Sequence, residues 1–132
     1  MRTSNGEDAR ADLVIDVMGR GSASSRWLEA IGARTPIEEQ ADCGFTYYTR
    51  YFRGNVPQRR IGSLTPYGTI SILTLPGDND TWSVTVFTAS DDTALKGLRQ
   101  ADKWTKTLRS FPLHAHWLDG VPVSDVMVMS GI

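Results

Sequence analysis

The chain has 132 residues, a formal net charge of −1 at pH 7 and the apolar and charged fractions of an ordinary globular protein. A near-neutral charge gives no electrostatic argument for a nucleic-acid partner. No segment reaches the apolar length of a membrane span, and the polar N-terminal segment differs from a secretory signal. Cys43 is the single cysteine, which excludes a disulfide framework and the ligand spacing of a zinc site. We therefore expect a cytoplasmic chain, long enough for one compact domain and little more.

The first patterned segment runs from residue 11 to residue 32. Residues 11–17, ADLVIDV, form a short and nearly continuous apolar run, which favours a strand buried on both faces. Gly19 and Gly21 then interrupt the run, and a serine at position 24 or 25 provides the N-cap of a short helix that Gly32 ends. The segment thus predicts a strand, a glycine turn and a short helix.

The middle of the chain has the patterns of β-strands. Residues 45–53, FTYYTRYFR, are rich in aromatic and β-branched side chains. One predicted face carries Phe45, Tyr47, Thr49 and Tyr51, and the other carries Thr46, Tyr48, Arg50 and Phe52. After a weaker strand near residues 61–65, the runs TISILTL and TWSVTVFTA flank PGDND, which is the clearest hairpin pattern in the chain.

Helical patterns follow the hairpin. Ser90 is expected to cap a first helix, with Asp91 and Asp92 in its first turn. A second helix is expected from about Asp102, and Pro112 ends it. Its expected core positions are Trp104, Leu108 and Phe111. With a final strand in VSDVMVMSGI, these elements predict an α+β fold: a mainly antiparallel sheet of about four to six strands, two to four helices packed on one face, and a short N-terminal strand.

The glycine turn has partial dinucleotide-binding spacing. Gly19, Gly21 and Ser24 stand at G-x-G-x-x-S spacing, in a motif whose glycines let the backbone approach a pyrophosphate at a helix N-terminus. The helix here is under three turns, and the acidic pair Glu38-Glu39 lies in a polar loop rather than at the end of an apolar strand. We therefore reject this turn as the primary phosphate-binding loop of a cofactor site.

The run ADLVIDVMGRGSASSRWLEAIG resembles another segment, the second flavin-contacting segment of FAD-dependent oxidoreductases. The superfamily concerned includes aromatic hydroxylases and other flavin monooxygenases, geranylgeranyl reductases and flavin halogenases. Gly19, Ser22 and Arg26 match its turn and the residues that follow. Met18 stands where the hydroxylases have Asp. Gly19-Arg20-Gly21-Ser22 followed by Arg26-Trp27-Leu28 looks more like a bacterial branch usually described only as FAD-dependent oxidoreductases. The later segments, from GFTYYTRYFR to FPLHAHWLDGVPVSDV, follow that branch's order.

The resemblance implies an internal fragment of a monooxygenase-like flavoprotein. Residues 1–32 would be a remnant of the FAD-binding domain, and residues 33–132 would be substrate-domain-like. The implied cofactor-binding residues are Gly19, Arg20, Gly21, Ser22 and Arg26. Neither the N-terminal GxGxxG unit nor the later Gly-Asp segment of such enzymes is present, as a truncated reading frame or a split gene would explain. We expect FAD in the parent enzyme, weak or no FAD binding by this chain, and no activity from it alone.

The implied substrate-binding residues lie on the strand at 45–53. They are Tyr47, Tyr48, Arg50 and Tyr51, and aromatic rings with one Arg suit an apolar or aromatic substrate that carries an acidic group. Packing of some of these aromatics against the helices is an equally good interpretation. We assign no catalytic residue, and we expect His114 and His116 to lie at the surface or at a helix end rather than to bind a metal.

The sequence is compatible with three hypotheses about partners and function. A fragment of a flavoenzyme would need a missing FAD-domain polypeptide or a second copy of itself. A stand-alone small-ligand-binding or interaction domain would use an aromatic sheet face and ignore flavin. A gene remnant would give a poorly folded product.

Overall fold

The computed structural model describes residues 3–39, 41 and 44–131. Cys43, which we expect to be an inert core or strand-edge residue, lies outside the described residues, as does the side chain of Arg20. The chain forms two compact units, Met1–Gln40 and Ala41–Ile132. The division falls later than the boundary after residue 32 that the resemblance implies.

The second unit contains a six-stranded antiparallel sheet with the order β2-β3-β4-β1-β5, in which β6 also pairs with β1. The strands are β1 (Phe45–Arg53), β2 (Leu64–Tyr67), β3 (Ile70–Pro76), β4 (Thr81–Ala89), β5 (Val121–Pro122) and β6 (Met127–Ser130). The two last strands share one edge of β1, because β6 pairs with Thr46–Thr49 and β5 pairs with Phe52 and Arg53. The predicted α+β class and antiparallel sheet are confirmed.

The hairpin predicted around PGDND connects β3 to β4. Asn79 and Asp80 have φ angles of 51° and 55°, which short polar side chains such as Asn and Asp tolerate best. The Gly77 amide closes the turn by donating to the Thr81 carbonyl oxygen at 2.8 Å. At the outer edge, Pro66 lies in β2, where a missing N–H costs no ladder bond.

Besides α1 (Ser24–Ala30) in the first unit, the structure describes four short helices. They are α2 (Ala101–Arg109) and the 3₁₀ helices Gly19–Gly21, Ala94–Arg99 and Ala115–Leu118. The helix predicted after Ser90 is therefore a 3₁₀ helix that starts later. Its first amide, of Ala94, donates to the Asp92 carboxylate at 3.1 Å. Gln100 then adopts an extended conformation, which leaves too little chain for a longer α-helix before α2.

The core of the second unit lies between one face of the sheet and the helices Ala94–Arg99, α2 and Ala115–Leu118. The Phe52 ring stacks with Trp82 of the neighbouring strand at 6.0 Å and with Trp104 of α2 at 6.1 Å. Both indole N–H groups are satisfied: Trp82 donates to the Trp117 carbonyl oxygen at 2.8 Å, and Trp104 donates to the Tyr48 carbonyl oxygen at 3.0 Å. The predicted core positions Trp104 and Leu108 are fully buried, because α2 packs these two side chains against this face of the sheet.

The strand predicted at residues 12–17 is wrong. Within residues 3–39 no strand is formed, and the apolar run is an exposed extended segment in which Leu13 is 75% and Val17 87% exposed. A strand buried on both faces needs hydrogen-bonded neighbours, and the described part of the first unit pairs none with this run. The predicted glycine turn and short helix are present as Gly19–Gly21 and α1, which ends at Gly32 with a φ of 72°.

The close approach of Gly120 to Trp82 gives a stability prediction. A Cβ atom at Gly120 would lie 2.4 Å from two ring carbons of Trp82, so Gly120→Ala should force the indole out of its stack. We expect a loss of about 1–3 kcal/mol in the free energy of unfolding, measured by urea denaturation with tryptophan fluorescence.

Gly62→Ala is the matched control, because a Cβ there meets its nearest atom at an ordinary 3.4 Å. Its effect should stay below about 1 kcal/mol. Equal unfolding midpoints for the two variants would contradict the proposed packing of Trp82 on Gly120.

Candidate functional site

The glycine turn of the first unit is organised by the carboxylate of Asp16. The Met18 amide donates to Asp16 Oδ1 at 2.9 Å, and the Ser22 hydroxyl donates to Asp16 Oδ2. The Ser22 oxygen in turn accepts the Ser24 amide at 2.9 Å. The Ser22 hydrogen bond, followed by the Met18 amide, lowers the pKa of Asp16. These bonds make a compact turn. The expected serine N-cap is wrong, because the N-cap of α1 is Ala23 and Ser24 is the first residue of the helix.

The residues implied as cofactor contacts lie in this turn and in α1. Open space lies beside Gly19 and Gly21, so their backbone is accessible to a ligand, and Gly19 needs its positive φ of 55°. The hydroxyl of Ser22 is already engaged with Asp16, however, and Arg26 is exposed on a helix of only seven residues. Residues 3–39 do not form the expected strand before the turn, which would precede the helix in a strand–turn–helix arrangement that holds a pyrophosphate.

The second unit presents a sheet face opposite its helices, which we call the open face. Its larger side chains are Phe45, Tyr47 and Tyr51 of β1, Phe87 of β4, Leu73 and Leu75 of β3, and Met127 and Met129 of β6. The two methionines are 50% and 49% exposed, and Tyr51 is 42% exposed. Exposed apolar side chains grouped on one face of a sheet are typical of a binding surface.

An aromatic cluster lies at one end of the open face. The rings of Tyr47 and Phe87 stack at 5.2 Å with an interplanar angle of 29°, and Phe45 meets Phe87 edge to face at 5.9 Å. Beside the cluster, the hydroxyls of Thr49 and Thr85 form a buried hydrogen bond of 2.8 Å. The face therefore offers flat apolar surface with its central polar atoms already paired.

The structure divides the predicted substrate-binding residues between the two faces of the sheet. Tyr47 and Tyr51 lie on the open face, whereas Tyr48 and Arg50 lie on the helix-covered face. Tyr48 is only 2% exposed and belongs to the core. Arg50 donates from Nε to the Ser124 carbonyl oxygen at 3.0 Å. These four side chains therefore do not form one pocket, and Arg50 holds the chain before β6 against β1.

The methionines of β6 were not among the predicted site residues. Met127 and Met129 alternate with Val128 along the strand and pair with Thr49 and Tyr47. That alternation is visible in the sequence. What it does not show is that β6 returns beside β1, which brings the methionines next to the aromatic cluster.

The His-x-His pair is structural. His114 is completely buried, so a surface position is wrong for this residue. It lies at a helix end, as the N-cap of the 3₁₀ helix Ala115–Leu118. Its Nδ1 lies 3.2 Å from the Tyr67 hydroxyl, and His116 Nε2 lies 2.9 Å from the Gln58 carbonyl oxygen. In the described part of the chain, no group of three or more His, Cys, Asp or Glu side chains is placed to hold a metal ion. No described helix combines the length and apolar character needed to cross a membrane.

Comparison with known proteins gives a partial similarity. No family model matches the sequence. Protein Rv3254 of Mycobacterium tuberculosis is 31% identical over 85 residues, which cover 61% of this chain and 18% of that protein. The chain thus spans less than a fifth of the length of the curated relative that it matches, and the name of that relative states no activity.

Burial of His114 predicts acid sensitivity. Desolvation, with a smaller contribution from the neighbouring His116, lowers the pKa of His114. The unfolded chain then takes up this proton more readily than the folded chain, so the free energy of unfolding should fall as pH drops below about 6.5, the ordinary value for histidine. Between about pH 7 and pH 5, the free energy of unfolding measured by urea denaturation should fall less steeply with pH in His114→Asn than in the parent protein.

His116→Gln serves as the control, because it removes only the smaller contribution to that pKa shift and should retain most of the slope. Equal slopes in the parent protein and His114→Asn would show that His114 is not responsible.

Proposed function

We propose that this chain supplies the substrate-facing sheet of an FAD-dependent oxidoreductase of the monooxygenase-like type and is inactive alone. The observation that carries the proposal is the one-sided packing of the sheet, which leaves the open face lined by aromatic rings and methionines. In such an enzyme the flavin supplies the redox chemistry. The role of this chain is to bind and orient an apolar or aromatic substrate and to exclude water from it.

The chemistry of the open face supports this substrate class. The stacked Tyr47 and Phe87 rings and the exposed thioethers of Met127 and Met129 present polarisable, adaptable apolar surface. A flat aromatic ligand gains more from such a surface than a charged one does. Because Arg50 lies on the opposite face, the proposal drops the acidic group that a pocket containing this arginine would favour.

The similarity to a longer protein supports a role within a larger assembly. The matched region makes up 18% of Protein Rv3254, so in that relative it is one part of a much longer chain. We propose that the flavin is held mainly by another polypeptide, because the residues around Gly19 lack a complete phosphate-binding arrangement. The partner is an FAD-domain polypeptide, and a second copy of this chain is the other candidate.

The second candidate function is a stand-alone domain that binds small apolar ligands without flavin. Compactness of the second unit favours it, because Ala41–Ile132 has a buried aromatic core of its own. Both candidates use the same open face, so they differ in their response to flavin and to an FAD-domain polypeptide rather than in where the ligand binds.

Ligand binding at the open face can be followed through methionine methyl groups. In a chain labelled with ¹³C at the methionine methyls, small aromatic compounds should shift Met127 and Met129 in a saturable way and leave Met18 of the first unit unchanged. Tyr47→Leu should weaken this binding by about tenfold, since it removes the stacked ring, and Leu113→Ala, which alters an exposed apolar residue elsewhere, should not. Ligands that shift Met18 as strongly as the other two methyls would exclude the open face as the binding surface.

Flavin titrations separate the two candidates. This chain alone should not quench the fluorescence of added FAD. Co-expression with a GxGxxG-containing FAD-domain polypeptide should give a complex that retains flavin through gel filtration. FAD binding by the isolated chain at micromolar or tighter affinity would contradict the assignment of flavin binding to a partner. Aromatic-ligand binding with no flavin retention in any combination would favour the stand-alone domain.

A further inference from the structure

A second surface feature of the sheet unit lies on the helix-covered side, away from the open face. It is a half-open cavity of about 340 Å³ at the end of the sheet where β1 begins and β4 and β6 end. Its polar lining residues are Thr46, Tyr48, Ser90, Lys96, Arg99 and Ser130. A volume of this size is within the range of small-molecule sites.

The cavity has two cations and no described carboxylate in its lining. Lys96 and Arg99 lie three residues apart on the 3₁₀ helix Ala94–Arg99, and side chains with that spacing eclipse one another on such a helix. The Arg99 Nε donates to the Lys96 carbonyl oxygen at 3.1 Å, which orients the guanidinium. Neither side chain forms an ion pair with any residue that the structure describes. Among the residues that the structure describes, no carboxylate therefore pairs with the positive charge at this cavity.

Hydroxyl groups complete the lining. Thr46 and Ser130 are directly opposite one another in the β1–β6 pairing. Ser90 lies just beyond the end of β4, and its Oγ is buried with no hydrogen-bond partner among the described residues. A bound group or an ordered water can satisfy such a hydroxyl. Cations together with neutral donors are the combination that binds an oxyanion, because each oxygen accepts several hydrogen bonds.

We propose that this cavity binds a small ligand through its phosphate or carboxylate group. Lys96 and Arg99 supply the charge, and the hydroxyls of Ser90, Thr46 and Ser130 supply further hydrogen bonds. The cavity is larger than one such group requires, so the oxyanion is one end of a small molecule. This site is on the opposite side of the sheet from the open face, and it does not depend on the proposed flavin-linked function.

Titration of the whole chain by ¹H–¹⁵N NMR tests the proposal, with inorganic phosphate and acetate as separate probes at constant ionic strength set by sodium chloride. Saturable amide shifts should be confined to the segments containing Thr46, Ser90, Lys96 and Arg99. Lys96→Ala or Arg99→Ala should weaken binding by about tenfold, and Ser90→Ala by a smaller factor. The tighter of the two probes identifies the group that the site prefers.

Controls separate a built site from general attraction to basic residues. Lys96→Arg keeps the charge and should retain binding, and Lys106→Ala removes an exposed charge of α2 outside the cavity and should have no effect. Both altered cations of the cavity are exposed, so these variants should keep the parent spectrum elsewhere. Shifts that do not saturate, that chloride reproduces, or that persist unchanged in Lys96→Ala and Arg99→Ala would overturn the proposal.

Discussion

The stacking of Phe52 on Trp82 and Trp104 is the interaction on which the arrangement of the sheet unit depends. It joins β1, β4 and α2, and the two indole N–H groups extend it by hydrogen bonds to backbone carbonyls of other segments. Truncating one such buried aromatic side chain costs about 3–5 kcal/mol, a large part of the stability of a small domain. Because Phe52 and Trp82 project from one side of the sheet and Trp104 packs on them from α2, the stack commits the helices to that side.

Committing the helices to one side determines what each face can do. The covered face uses Tyr48 and Arg50 for packing and for backbone contacts, and the cavity lined by Lys96 and Arg99 lies at its end. On the open face Tyr51 is exposed and Tyr47 is half-buried, beside the methionines of β6. An apolar surface and an anion-binding cavity are thus separated by the thickness of one sheet, and each can bind a ligand without the other.

Much of the sheet could be predicted because short sequence patterns determine its strands and its hairpin turn. The alternation in residues 45–53 identifies both faces of β1, and PGDND between two β-branched runs identifies the hairpin. Which face the helices cover depends on long-range packing of Trp104 and Trp117, so the sequence could not assign Tyr48 and Arg50 to the core side. The apolar run at 12–17 failed as a strand for a related reason, since strand formation depends on neighbours that a local pattern does not contain.

The open face of the sheet is accessible to solvent, and a soluble gadolinium chelate in solution provides a direct test of this accessibility. Its paramagnetic broadening of the Met127 and Met129 methyls should be strong in dilute solution, while the buried methyls of Ile72 remain sharp. Protection of both methionine methyls at every protein concentration would contradict the account, because it would show that the chain covers this face itself.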